Sequence, residues 1–144
     1  MKRPAAAFAA GLALVAVLPF AARALRHAPA ERCALDGVAV ASRNAVRIVD
    51  EGTGPGRRFC CVACAENWLA REGYARRRIF VVDEETGAEI DARSAWFVES
   101  LIPTEPATGC RIHVFGTESA ATSHAEQFRG RLLVGNDVSF RHAE

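Results

Sequence analysis

The sequence lacks an excess of charge of either sign. Its 144 residues carry 18 basic and 17 acidic side chains, a formal net of +1. That balance removes any broad electrostatic case for nucleic-acid binding. It also lacks a glycine-rich phosphate loop, a defensible nucleophile–base pair and a residue-level internal repeat, so the chain is not expected to be an enzyme. Lysine is nearly absent: 17 of the 18 basic residues are Arg. Together with the abundance of Ala, this reflects codon composition and not function. The composition is half apolar and 24% charged, which excludes a disordered chain. The length allows one domain or two very small ones.

An even cysteine count is also missing. Cys33, Cys60, Cys61, Cys64 and Cys110 make five, so they cannot all pair within one chain. Three are crowded into "FCCVAC" (residues 59–64) and one stands alone upstream, unlike the spread framework of a disulfide-stapled domain.

Residues 1–24 read as a segment separate from the fold. Lys2 and Arg3 precede an apolar stretch over residues 5–22, and Ala22-Arg23-Ala24 places small residues at cleavage-site spacing. The segment is either a signal peptide or an uncleaved membrane anchor, since it is just long enough to span a bilayer. Both place the remainder outside the cytoplasm, periplasmic or extracytoplasmic, where disulfides are permitted. Cys33 follows Glu31-Arg32, which argues against lipidation there. Residues 25–144 carry 15 basic against 17 acidic residues.

Further along, Cys33-Ala-Leu-Asp36-Gly37 predicts a tight knuckle, with Asp36 either capping the turn before Gly37 or serving as a weak oxygen ligand. "VAVAS" and "AVRIVDE" predict strands, "GTGPG" a turn and residues 57–59 a short returning strand. "CCVACAENWLAREG" predicts a helix from Cys60 to a stop at Gly73. "RRRIFVVD" and "AEIDA" flank "EETG" as a hairpin with Gly87 at the bulge. "SAWFVES" and "CRIHVFG" follow as strands around a Pro-containing loop. "TESAATSHAEQF" is a capped helix and "GRLLV" a last strand. The expected fold is α+β, two small strand-and-helix units with antiparallel strands. Residues 25–75 form the cysteine-containing unit, 76–134 the second unit and 135–144 a frayed tail. Trp68, Trp96 and Phe97 are expected in the core. His27, His113, His124 and His142 read as surface residues.

With a helix starting at Cys60, Cys60/Cys64 and Cys61/Cys64 each share a face one turn apart. The free N–H groups and dipole of the first turn favour thiolate there. The knuckle would bring Cys33 back over the helix start. Clustered soft thiolates suit Cu(I), with Zn(II) as the alternative. Cys33, Cys60, Cys61 and Cys64 are the candidate metal ligands, with Cys110 a weaker fifth. Two other readings stay open. Cys61-Val-Ala-Cys64 at a helix start also has redox geometry, although no βαβ context or cis-Pro candidate accompanies it. A structural zinc module that binds a protein is the third.

The runs "FVVDEETGAEIDARSAWFVES" and "TEPATGCRIHVFGTESAATSHAEQFRGRLL" resemble the NosL family. Asp83, Thr86, Gly87, Ile90, Asp91, Ala92, Ala95, Phe97 and Val98 fill its hairpin and following strand, and the resemblance extends over residues 33–133. It implies an exported copper(I) carrier of two strand-and-helix units, similar to part of organomercurial lyase. Its partner would be a client metalloprotein or metal transporter, with nitrous oxide reductase the family's client. The family's C-x-x-C-G-M knuckle is here Cys33-Ala-Leu-Asp36-Gly37-Val38, its Phe-Asp-Asp is Phe59-Cys60-Cys61, and its loop Met is Ala107, with Cys110 close behind. The only Met is Met1. Phe59-Cys60-x3-Cys64 with the upstream Cys33 is also similar to TRASH-type metal knuckles, although the gap between the first two cysteines is longer here.

Overall fold

The computed structural model describes residues 31–52 and 54–140. The expected leader over 1–24, the linker after it, His27 and His142 lie outside them. Among the described residues seven strands and two α-helices follow in order: β1 (Val46–Asp50), β2 (Arg57–Phe59), α1 (Val62–Glu72), β3 (Arg77–Val82), β4 (Glu89–Asp91), β5 (Trp96–Glu99), β6 (Ile112–Phe115), α2 (Glu118–Gln127) and β7 (Arg131–Leu132). They form two antiparallel sheets, ordered β2-β1-β3-β4 and β6-β5-β7. This is the expected α+β class. Among the described residues no helix is long and apolar enough to cross a membrane.

Local chemistry accounts for most element ends. Gly73 closes α1 at φ 88°, its N–H donating to the Leu69 carbonyl, a conformation that carries little steric cost only for glycine. Thr117 caps α2 by accepting from the Ala120 amide. Between β3 and β4, Asp83 accepts from the Thr86 hydroxyl at 2.6 Å and from the Glu85 amide at 3.1 Å. These bonds hold its carboxyl below its ordinary pKa although burial pushes the other way.

Three expectations need correction. "VAVAS" is not a strand: only Ala39 bridges, to Arg32, and Ser42–Asn44 is a 3-10 turn. The β3–β4 hairpin pairs with β1, Val46 opposite Val81 and Ile48 opposite Ile79. The sheets therefore divide between residues 91 and 96 and not near 75. The physical reason is burial: Val46, Ile48, Ile79 and Val81 put one continuous apolar face into the core that α1 also enters. Nor does fraying set in at Gly135 among the described residues. Ser139 and Phe140 are buried, and Phe140 meets Phe97 edge-on at 5.9 Å between ring centroids.

One core runs through both sheets. It contains Phe59, Leu69, Val81, Phe97, Val114 and Phe140, together with all five cysteines.

Candidate metal centre

The Cys33 turn is built by its own backbone. The Gly37 N–H donates to the Cys33 carbonyl at 2.9 Å, and the Cys33 N–H to the Val38 carbonyl at 2.8 Å. Gly37 sits at φ 76°, which favours glycine. Asp36 Oδ1 accepts from the Val38 amide at 3.0 Å, an Asx turn. The Ala34 N–H donates to the Arg58 carbonyl at 2.9 Å. That bond pins the knuckle to β2, one residue before Phe59 and the cysteine cluster, as expected of a knuckle returning over the helix start.

The helix begins later than Cys60. Cys61 is its N-cap, in extended backbone at φ −163° and ψ 169°. Successive side chains in extended backbone diverge, so Cys60 and Cys61 take different neighbours. Cys60 Sγ lies 3.6 Å from Cys64 Sγ and 3.8 Å from Asp36 Oδ2. Cys64 Sγ donates to Asp36 Oδ2 at 3.1 Å. One sulfur or oxygen from each of Cys33, Asp36, Cys60 and Cys64 falls within 4.8 Å of the others. Cys61 lies 3.5 Å from the Thr108 hydroxyl and beside the Cys110 thiol, while it also adjoins Cys64. The five candidates thus form a group of three thiols plus Asp36, and an adjoining pair. Cys60 and Cys61 remain neighbours, at 4.0 Å between sulfurs.

The cluster's acid–base state follows from burial. All five thiols are free and buried. Burial pushes Cys60 up to about 11. Burial, then the hydrogen bond it donates to Asp36, pushes Cys64 up strongly. Cys110 is raised first by donating to Cys61 and then by burial. The same bond lowers Cys61 to about 7, with help from Thr108 and against burial. For Asp36 burial acts upward, but the Val38 amide and the thiols of Cys64, Cys33 and Cys60 outweigh it and hold the carboxyl below its ordinary value.

Asp36 is exposed while the three thiols beside it are buried. It therefore both caps its turn and forms the solvent edge of the group. With a metal–sulfur bond of about 2.3 Å, the 3.6 Å Cys60–Cys64 separation subtends about 100° at an ion, close to a tetrahedral angle. Three thiolates and a carboxylate can close round one ion after sub-ångström adjustment. That set fits four-coordinate Zn(II), and its thiolates alone fit Cu(I).

Sequence reasoning missed a second polar group. His113 is buried, not at the surface. Its Nδ1 faces Glu84 Oε2 at 2.9 Å, and its Nε2 lies 3.0 Å from both the Ile102 carbonyl and Ser100 Oγ. Ser100 Oγ in turn accepts from the Ile102 amide at 3.2 Å. The spacing is that of a Ser–His–Glu triad, yet both ring nitrogens face acceptors, the Glu84 carboxylate and the Ile102 carbonyl, which favours an imidazolium clamp. Burial pulls His113 down, but the Glu84 carboxylate more than compensates and its pKa is raised. Glu84 and His113 stand 29 residues apart, and no local pattern announces the pairing.

No family model and no curated protein matches the chain. Among solved structures it is similar to the crystal structure of the copper chaperone NosL from Shewanella denitrificans. The two share 21% sequence identity over 76% of this chain and 90% of that one, with a TM-score of 0.65. The likeness establishes the NosL fold for this chain.

Proposed function

We propose that this protein is an extracytoplasmic carrier of a soft metal ion, Cu(I), held by Cys33, Cys60 and Cys64 for transfer to a client metalloprotein. The observation that carries the reading is the convergence of three buried thiols and Asp36 within 4.8 Å. The NosL fold supports it, because a solved structure that shares the fold is of a copper chaperone. The basic, then apolar, first 24 residues support export. Each binding thiol gives up its proton, so uptake is coupled to pH. A Cu(I) ion satisfied by two or three thiolates leaves room for an incoming thiolate or thioether, and ligand exchange then moves the ion without oxidation. Asp36, at the exposed edge, marks the side from which a partner's ligand approaches.

Zn(II) is the second reading, favoured by the fourth donor that Asp36 supplies. The test is anaerobic titration of the reduced chain with Cu(I) against a chromophoric chelator, with Zn(II) in parallel. Tight Cu(I) binding that is lost in Cys60→Ser/Cys64→Ser is the expected result. Unchanged Cu(I) affinity in that variant refutes the site. Tight zinc with weak copper moves the chain to the zinc reading.

A further inference from the structure

The pair left over from the four-donor group has no role in a one-ion carrier. Cys110 is fixed by its loop: its carbonyl accepts from the Thr104 amide at 2.7 Å and the Thr104 hydroxyl at 3.0 Å. Its own amide donates to Thr108 Oγ1 at 3.4 Å. The Cys110 thiol meets Cys61 across the seam between that loop and the start of α1. Both thiols are buried, while Thr108 beside Cys61 is exposed. The pair is therefore a preorganised two-sulfur seat one side chain below the surface.

It also touches the first group. Cys61 and Cys110 fall outside the donors that all lie within 4.8 Å of one another, and an ion that takes at most four ligands cannot hold all five thiols. The 4.0 Å between Cys60 Sγ and Cys61 Sγ subtends about 120° at a metal–sulfur bond of about 2.3 Å, the trigonal angle. Cys60 is thus placed to bridge.

We propose that the chain binds two Cu(I) ions: one at Cys33, Cys60 and Cys64, and a second between Cys61 and Cys110, with Cys60 as the shared neighbour. This rests on the carrier reading above and extends it. Two thiolates, or three where Cys60 bridges, suit Cu(I) and are too few donors for Zn(II), which takes four. The second seat therefore discriminates between the ions, whereas the first accepts either. Each ligating thiol releases its proton to solvent, and no electron changes hands.

The experiment is metal stoichiometry of the reduced full chain under anaerobic conditions. Cu(I) and, separately, Zn(II) are titrated, and X-ray absorption is recorded on the copper-loaded protein. The expected result is two Cu(I) per chain with a copper–copper scattering shell, and one Zn(II). Cys110→Ala should bind one Cu(I) with the first ion's affinity retained, which also shows that the variant is folded. One Cu(I) in the unmodified chain, or two in Cys110→Ala, overturns the second site and leaves the carrier reading standing. No Cu(I) uptake overturns both.

Discussion

Asp36→Asn separates the two metals that the candidate centre fits. Asparagine keeps the side-chain oxygen that accepts from Val38 at 3.0 Å, so the Asx turn and the position of Cys33 survive. What disappears is the anion facing Cys64 at 3.1 Å and Cys60 at 3.8 Å. A four-coordinate zinc site loses one of its four donors, and its affinity should fall at least about tenfold, or about 1.4 kcal/mol. Cu(I), satisfied by the thiolates, loses no ligand. Its uptake becomes easier in one respect, because the hydrogen bond to Asp36 is one of the causes that raise Cys64, and without the anion that thiol ionises at lower pH. The Cu(I) affinity of the variant should therefore equal or exceed that of the unmodified chain. The assay is chelator competition for both ions on both proteins at pH 7. An equal fall for the two metals would refute this division of labour, and would make Asp36 either a copper ligand or a scaffold whose charge matters.

Two further outcomes concern the fold. In Glu84→Gln the His113 imidazolium loses its counter-ion. The folded His113 pKa lies above its ordinary 6.5, so the pair's stabilisation is complete below about pH 6 and is lost as pH rises through the folded value. The variant should be about 2 kcal/mol less stable than the unmodified chain at pH 5.5, as expected for a hydrogen bond to a charged group. The deficit should shrink as pH rises past the folded value, and urea unfolding on either side of it would show a constant deficit if the reasoning were wrong. Phe140→Ala removes a buried ring from the contact with Phe97 and should cost about 3 kcal/mol in chemical denaturation. A cost below about 0.5 kcal/mol, the level of ordinary surface substitutions, would return the chain's end to the surface.

What could be read from the sequence was what neighbouring residues settle among themselves. The Cys33–Val38 knuckle needs only Asp36 and Gly37. The stop of α1 needs Gly73, the start of α2 needs Thr117, and the β3–β4 hairpin needs Asp83, Thr86 and Gly87. Each is closed by hydrogen bonds spanning a few positions, and residue type is enough to recognise them. The strong β-branched content of β1 and β3 likewise marked them as strands. It did not say that they pair with each other, because strand pairing is chosen by which apolar faces can be buried together.

The candidate centre divides along the same line. Five cysteines, three of them at a helix start, point by residue type to soft-metal or thiol redox chemistry. Their partition into Cys33, Cys60 and Cys64 with Asp36, and Cys61 with Cys110, was decided by tertiary structure. A two-residue shift of the helix start leaves Cys61 extended as its N-cap and turns it away from Cys60's neighbours. A loop nearly fifty residues later then places Cys110 against it. The His113 clamp and the buried Phe140 belong to that second class too. Contacts between segments far apart in the chain depend on the packing of the whole core, and no local periodicity records them.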